Sequence, residues 1–245
     1  MRKTFASVAL TVSFVVLTGA DPAHAMQLPW LVSVSTSNQV VLVTASNFDS
    51  TTGKLRAFEK ANGQWNQVQP AVPVFLGRTG LVPAGERVQS SGKTPIGTFA
   101  LTSAFGRKAN PGTQIPYTQI DHNDAWTYNP RIPSTYNLFQ SVNRSWASYG
   151  NYVEHLWQLG PQYDYVLTTS FNQPIGEIVQ GSDGINRANP SADTRRGGGI
   201  FFHVSKGIPT AGCISMNKNV MRSLLQWLKP ESQPIAVIGL AKSFS

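Results

Sequence analysis

Pro70, Pro73, Pro111, Pro116, Pro130 and Pro133 each remove a backbone donor. With the glycines between them, they cut the middle of the chain into pieces too short for long helices. The stretches "VPVFLGRTGLVPAGE" and "GKTPIGTFALTSAFG" therefore read as strands separated by turns, while "NPGTQIPY" and "YNPRIPSTYN" read as long loops of the kind that often bind ligands. Charged residues are only 13% of the chain, and Gly, Pro, Ser, Thr, Asn and aromatics are plentiful, which favours short strands over surface helices. The expected fold class is mainly β, with a few short helices.

Strand and helix signals divide the rest. "QVVLVTAS" (39–46) alternates and is β-branched enough for a strand, and Asn62-Gly63 between two short runs predicts a hairpin with a type I′ turn. Tyr152, Val153, Leu156, Trp157 and Leu159 fall at near-helical spacing ahead of Gly160-Pro161, so a short helix is predicted there. "YDYVLTTSF" predicts a strand with Tyr163, Tyr165 and Leu167 on one face. A polar Gly-rich loop over 180–199 leads into the buried-strand run "IFFHVS". Val220, Met221, Leu224, Leu225 and Leu228 mark one face of a helix stopping at Lys229-Pro230, and "PIAVIGLA" predicts a last strand.

The N-terminus has Arg2 and Lys3, an apolar run over 8–17 and then "AHA" at 23–25, the pattern of a signal peptide cut after Ala25. The run is far short of the roughly 20 residues a membrane span needs, and no later stretch is longer, so a soluble exported protein is expected. The organisation expected is a signal peptide over 1–25, a β lead-in over 26–70 and one catalytic-type domain over 71–245. Net charge is +8, or +7 without Arg2, Lys3 and Asp21, which suits an anionic surface such as a cell wall. The basic residues are scattered with no basic run, which argues against nucleic acid as a partner.

A single cysteine, Cys213, rules out an intramolecular disulfide, so the core alone holds the fold. Such a thiol is a buried small hydrophobe, an intermolecular partner or a reactive group. Ten positions earlier stands His203, at the end of the strand run, and "HVSKGIPTAGC" places a turn between the two. A nucleophilic cysteine needs a base, oxyanion donors and room for a carbonyl. His203 offers the base, and Gly212, lacking a Cβ, lets a substrate approach the amides of Gly212 and Cys213. An imidazolium at His203 would lower the thiol pKa and speed alkylation near neutral pH. "IDHNDAW" brings Asp121, His122 and Asp124 together, but adjacent side chains seldom converge on one ion, so a solvated loop is expected there. Glu154 and His155 are expected on a helix surface, with Glu154 near the cleft as the alternative. No Gly-x-Ser-x-Gly elbow is present, and His before Cys is the reverse of the papain-like order.

"HVSKGIPTAGCISM", with "GGGIFFHV" leading in and "GKTPIGTFAL" about a hundred residues upstream, resembles the L,D-transpeptidase catalytic domain family (YkuD type) and its signature of a His followed by Ser/Thr-x-Gly-Cys. With Trp227, Leu228 and Pro230 it resembles in particular a secreted bacterial branch carrying "TAGC". The resemblance implies a β-rich domain in which Cys213 attacks a peptidoglycan stem peptide at an L,D bond, with His203 as base and Gly212 and Cys213 as oxyanion donors. Thr210 takes the motif's Ser/Thr place and orients His203 or the loop, or simply makes a turn. Many members carry Arg two positions after the Cys, where this chain has Ser215, and often His at Ala211. The expected substrate contacts are therefore Ser215 and Lys206, with Arg195 and Arg196 as further cations. No metal or other cofactor is expected. The function implied is an L,D-transpeptidase, with an L,D-carboxypeptidase or a non-catalytic wall-binding module of the same fold as alternatives.

Overall fold

The computed structural model describes residues 36–244, so the segment read as a signal peptide lies outside the described residues. In chain order the strands are β1 (Gln39–Ala45), β2 (Thr52–Ala61), β3 (Gln64–Phe75), β4 (Leu81–Pro83), β5 (Thr94–Ala100), β6 (Ala104–Gly106), β7 (Tyr117–Gln119) and β8 (Asp124–Thr127). They continue with β9 (Leu138–Ser141), β10 (Val153–His155), β11 (Val166–Thr168), β12 (Ile178–Gln180), β13 (Asn186–Ala188), β14 (Phe201–Val204) and β15 (Ile214–Met216). Helix α1 (Lys218–Trp227) and strand β16 (Ile235–Leu240) close the chain. The mainly β expectation holds.

Eleven strands form one sheet in the order β4-β5-β16-β1-β2-β3-β15-β14-β11-β6-β7. β5 and β6 stand second and tenth in that order yet are joined by residues 101–103 alone, so the sheet must curl until its two ends meet. Hydrogen bonds from Ser170 N to Ala100 O (2.9 Å) and from Thr168 N to Ser103 O (2.9 Å) bind the ends together. Inside the curl lies the main core, with Val41, Val43, Leu55, Leu76, Phe202, Val204, Ile214 and the α1 residues Met221, Leu224 and Leu225. α1 forms because its apolar positions recur at three- and four-residue spacing, and Asn217 caps it by accepting from Asn219 N at 2.8 Å.

The Asn62-Gly63 hairpin is present: both residues have positive φ (52° and 78°), and β2 and β3 pair antiparallel from Ala61↔Gln64 outward. β1 is buried along its whole length rather than on alternate residues, because it is central in the sheet between β16 and β2.

Three expectations are corrected. Residues 152–159 form no α-helix: β10 pairs with β8, and a 3₁₀ run over Leu156–Tyr163 is broken at Gly160 (φ 72°) beside Pro161. The edge of β8 offered that segment ladder partners, and a helix would have left them open. The loop over 180–199 contains β13, which forms a two-stranded hairpin with β12. Tyr163 does not share the face of Leu167, since it belongs to the 3₁₀ run and packs with Val166 in the second core.

That second core is aromatic. The three-stranded sheet β10-β8-β9 covers the outer face of the large sheet, and Phe105, Trp126, Tyr163 and Phe201 meet edge-on or stacked, with Trp126 and Phe201 centroids 4.8 Å apart. The period-two pleat of β14 therefore sends Phe202 and Val204 to the inner core, and Phe201 and His203 to the aromatic layer. Burying Phe201 and Phe202 fully stabilises by about 2 kcal/mol each. These two rings fix the orientation of β14, and with it the direction of His203.

Candidate active site

His203 is held on β14 between Val166 of β11 and Ser215 of β15. Its ring meets Tyr163 with centroids 5.6 Å apart, and Nδ1 lies 2.9 Å from Val204 O. That carbonyl orients the ring with Nδ1 as the donor, which leaves Nε2 as the basic nitrogen. Only 6% of the residue is exposed. Burial pushes the imidazole down to about 4, with the nearby Lys206 charge adding to the shift and the Val204 carbonyl opposing it.

β14 and β15 are parallel, with Phe202↔Ile214 and His203↔Ser215. The connection is thus a return crossover rather than a hairpin, and it delivers Cys213 beside Phe201, one side-chain row from His203 on the same face. The half-buried thiol accepts from Phe201 N at 3.4 Å and donates to Gly199 O at 3.2 Å. Thr210 anchors the returning leg: Thr210 N donates to Leu76 O (2.8 Å), Arg78 N donates to Thr210 O (2.8 Å), and its hydroxyl donates to Cys213 O (2.6 Å). The same hydroxyl accepts from Gly212 N at 3.1 Å. The hydroxyl therefore orders the loop, and the Gly212 amide already has a partner. Gly212 itself sits at φ +136°, where a Cβ would lie 2.9 Å from Lys93 O and 3.0 Å from Arg87 Nη2.

Burial among the aromatic rings pushes the thiol up to about 12, with the Glu154 charge acting the same way and the Phe201 amide and Arg87 opposing it. Both shifts favour the neutral imidazole and the neutral thiol over the imidazolium–thiolate pair expected from the sequence. Because burial disfavours the thiolate, iodoacetamide should label native Cys213 more slowly than the urea-unfolded chain. Faster native labelling, followed by mass spectrometry, would show an ion pair after all.

The rest of the candidate residues scatter. Ser215 is 1% exposed and its hydroxyl has no hydrogen-bond partner, so it lies sealed beside His203. Lys206 is exposed at the loop tip. Arg195 points outward in an ion pair with Asp193 at 2.9 Å, while Arg196 folds back with Nη2 on Ala84 O at 2.7 Å. Asp124 accepts from Asp121 N at 2.7 Å and His122 packs on Trp157, so "IDHNDAW" is a self-capping turn.

Three residues emerge that sequence reasoning left aside or undecided. Glu154, on β10, accepts from the Tyr163 hydroxyl at 2.9 Å. Burial raises its carboxyl above the ordinary value, and the Tyr163 bond opposes that. That bond holds the ring that packs on His203. Asn137, 1% exposed, spends its whole amide: Oδ1 accepts from Trp126 Nε1 (2.9 Å) and Gly199 N (2.9 Å), and Nδ2 donates to Phe171 O (3.1 Å) and Asn172 O (2.7 Å). It thereby fixes the glycine run that receives the thiol. Arg87 reaches the same run from the other side. A Cβ at Gly197 would lie 2.2 Å from its Nη1, and one at Gly198 would lie 2.2 Å from Asn137 Oδ1. The glycines are where two buried polar side chains need room.

No curated protein and no solved structure matches the chain significantly. The family model of the L,D-transpeptidase catalytic domain (YkuD) matches residues 48–237, a span that holds β14, the crossover and β15. That family comprises cysteine transpeptidases and carboxypeptidases of peptidoglycan. A thiol and an imidazole on adjacent rows of one sheet face, inside so long a match, make the assignment: this chain belongs to the L,D-transpeptidase catalytic domain (YkuD) family.

Proposed function

We propose that the protein is an exported cysteine acyl-transferase acting on peptidoglycan stem peptides, released by cleavage after Ala25. The observation that supports it most is the crossover placing Cys213 one row from His203, with its thiol at the mouth of the glycine run. Cys213 Sγ attacks the carbonyl of the L-centre preceding a terminal D-amino acid while His203 Nε2 takes the thiol proton, so that no free thiolate has to accumulate. The tetrahedral intermediate collapses with cleavage of the C–N bond. His203 returns its proton to the leaving amine, and a thioester remains on Cys213. An amine of a second stem peptide then attacks the thioester to form a cross-link, or water does so to leave a shortened peptide.

Mass spectrometry of tetrapeptide muropeptides incubated with the protein tests this. Free D-alanine is expected together with either cross-linked dimers or tripeptides, and the product identifies the acceptor. Unchanged muropeptides, with retention of the protein on intact wall material, would replace the enzyme reading with the wall-binding module.

A further inference from the structure

Arg87 is 5% exposed, yet no carboxylate lies within ion-pair distance of it among the described residues. Its Nε donates to Lys93 O at 2.9 Å and its Nη1 to Arg196 O at 2.7 Å, both neutral carbonyls, and its guanidinium lies 5.5 Å from the Phe171 ring centre. Nη2 has no hydrogen-bond partner and faces Gly212, the neighbour of the nucleophile. A buried cation without a counter-ion is costly, and an anion bound beside it would offset that cost. Two carbonyls hold the planar fork in place, so its Nη2 edge stands beside Gly212 without further ordering.

The family arginine is replaced here by Ser215, whose hydroxyl is sealed from any ligand. Arg195 is taken by Asp193 and Arg196 by Ala84 O. In a donor peptide that loses one terminal residue, the carboxylate carbon stands at most about 4 Å from the scissile carbonyl carbon. The cation that receives it must therefore lie close to Cys213, as Arg87 does beside Gly212. We infer that Arg87 is the specificity-determining residue of this site, its Nη2 edge receiving the terminal carboxylate of the donor peptide in place of the arginine absent at position 215. This rests on the acyl-transfer reading of Cys213.

Two experiments test it separately from that reading. With wild-type protein, a donor tetrapeptide with a free terminal carboxylate should have a KM about 10- to 100-fold below that of its C-terminal amide, the range a charged hydrogen bond gives. Arg87→Gln should remove the preference by raising the KM of the carboxylate form alone, and Arg87→Lys should restore part of it. A wild-type preference under threefold overturns the inference even if Arg87→Gln fails to fold. So does an equal loss on both donors, which would mark Arg87 as serving the oxyanion or the fold. Calorimetric binding of the two peptides to the Cys213→Ala protein gives the same comparison without turnover. A carboxylate preference there, lost on Arg87→Gln, would uphold the inference even if wild type proved inactive and the acyl-transfer reading fell.

Discussion

Cys213→Ala is expected to abolish D-alanine release from muropeptides, with loss below detection rather than a graded decline. Among the described residues Cys213 is the only thiol, and the nearby Ser215 hydroxyl is sealed and of far lower intrinsic nucleophilicity. The fold should survive the change. The thiol is half-buried and its two contacts, 3.2 and 3.4 Å, are long, so the variant should melt close to wild type. Chromatography of released D-alanine beside a thermal melt checks both halves, and wild-type turnover by a folded Cys213→Ala protein would sink the mechanism.

His203→Ala should lower kcat/KM by about 10² to 10⁴, the usual worth of a general base. The pH profile makes the effect specific to the imidazole. Since burial holds His203 at about 4, it stays unprotonated, and so able to accept the thiol proton, at every pH above that value. The acid limb of wild-type kcat/KM should therefore fall near pH 4, not near the ordinary 6.5 of a histidine, and should vanish in the variant. An acid limb at 6.5 would mean that the ring is solvated in the working enzyme. The same depression has a stability counterpart. The unfolded chain binds a proton at His203 between pH 6.5 and 4 that the native state refuses, so native stability falls as pH drops through that window.

What could be read from the sequence followed from local chemistry. Asn62-Gly63 specifies its own turn whatever surrounds it, and Met221, Leu224 and Leu225 specify a helix face by spacing alone. Cys213 and His203 were legible as a pair because they stand ten positions apart with a turn between them. Tyr152 to Leu159 misled because apolar spacing near 3.6 fits a helix, whereas the fold used Val153 and His155 as ladder residues against Thr127 and Ala125. Arg87 could not be read: its meaning comes from Arg196, 109 residues away, and from a nucleophile still further along the chain. The same holds for Asn137, which nothing in "STYNLF" distinguishes from a loop residue until Gly199, 62 residues on, is seen to donate to it.

The returning leg of the crossover also separates two jobs along one short loop. From Thr210 onward the backbone is pinned to Leu76 and Arg78 at the end of β3, while Lys206, Gly207 and Ile208 stand exposed with no such tether. Residues inserted at that tip would extend the exposed turn and leave Cys213 where it is, because the anchor lies downstream of the change. Length added between His203 and Thr210 is thus decoupled from the position of Cys213.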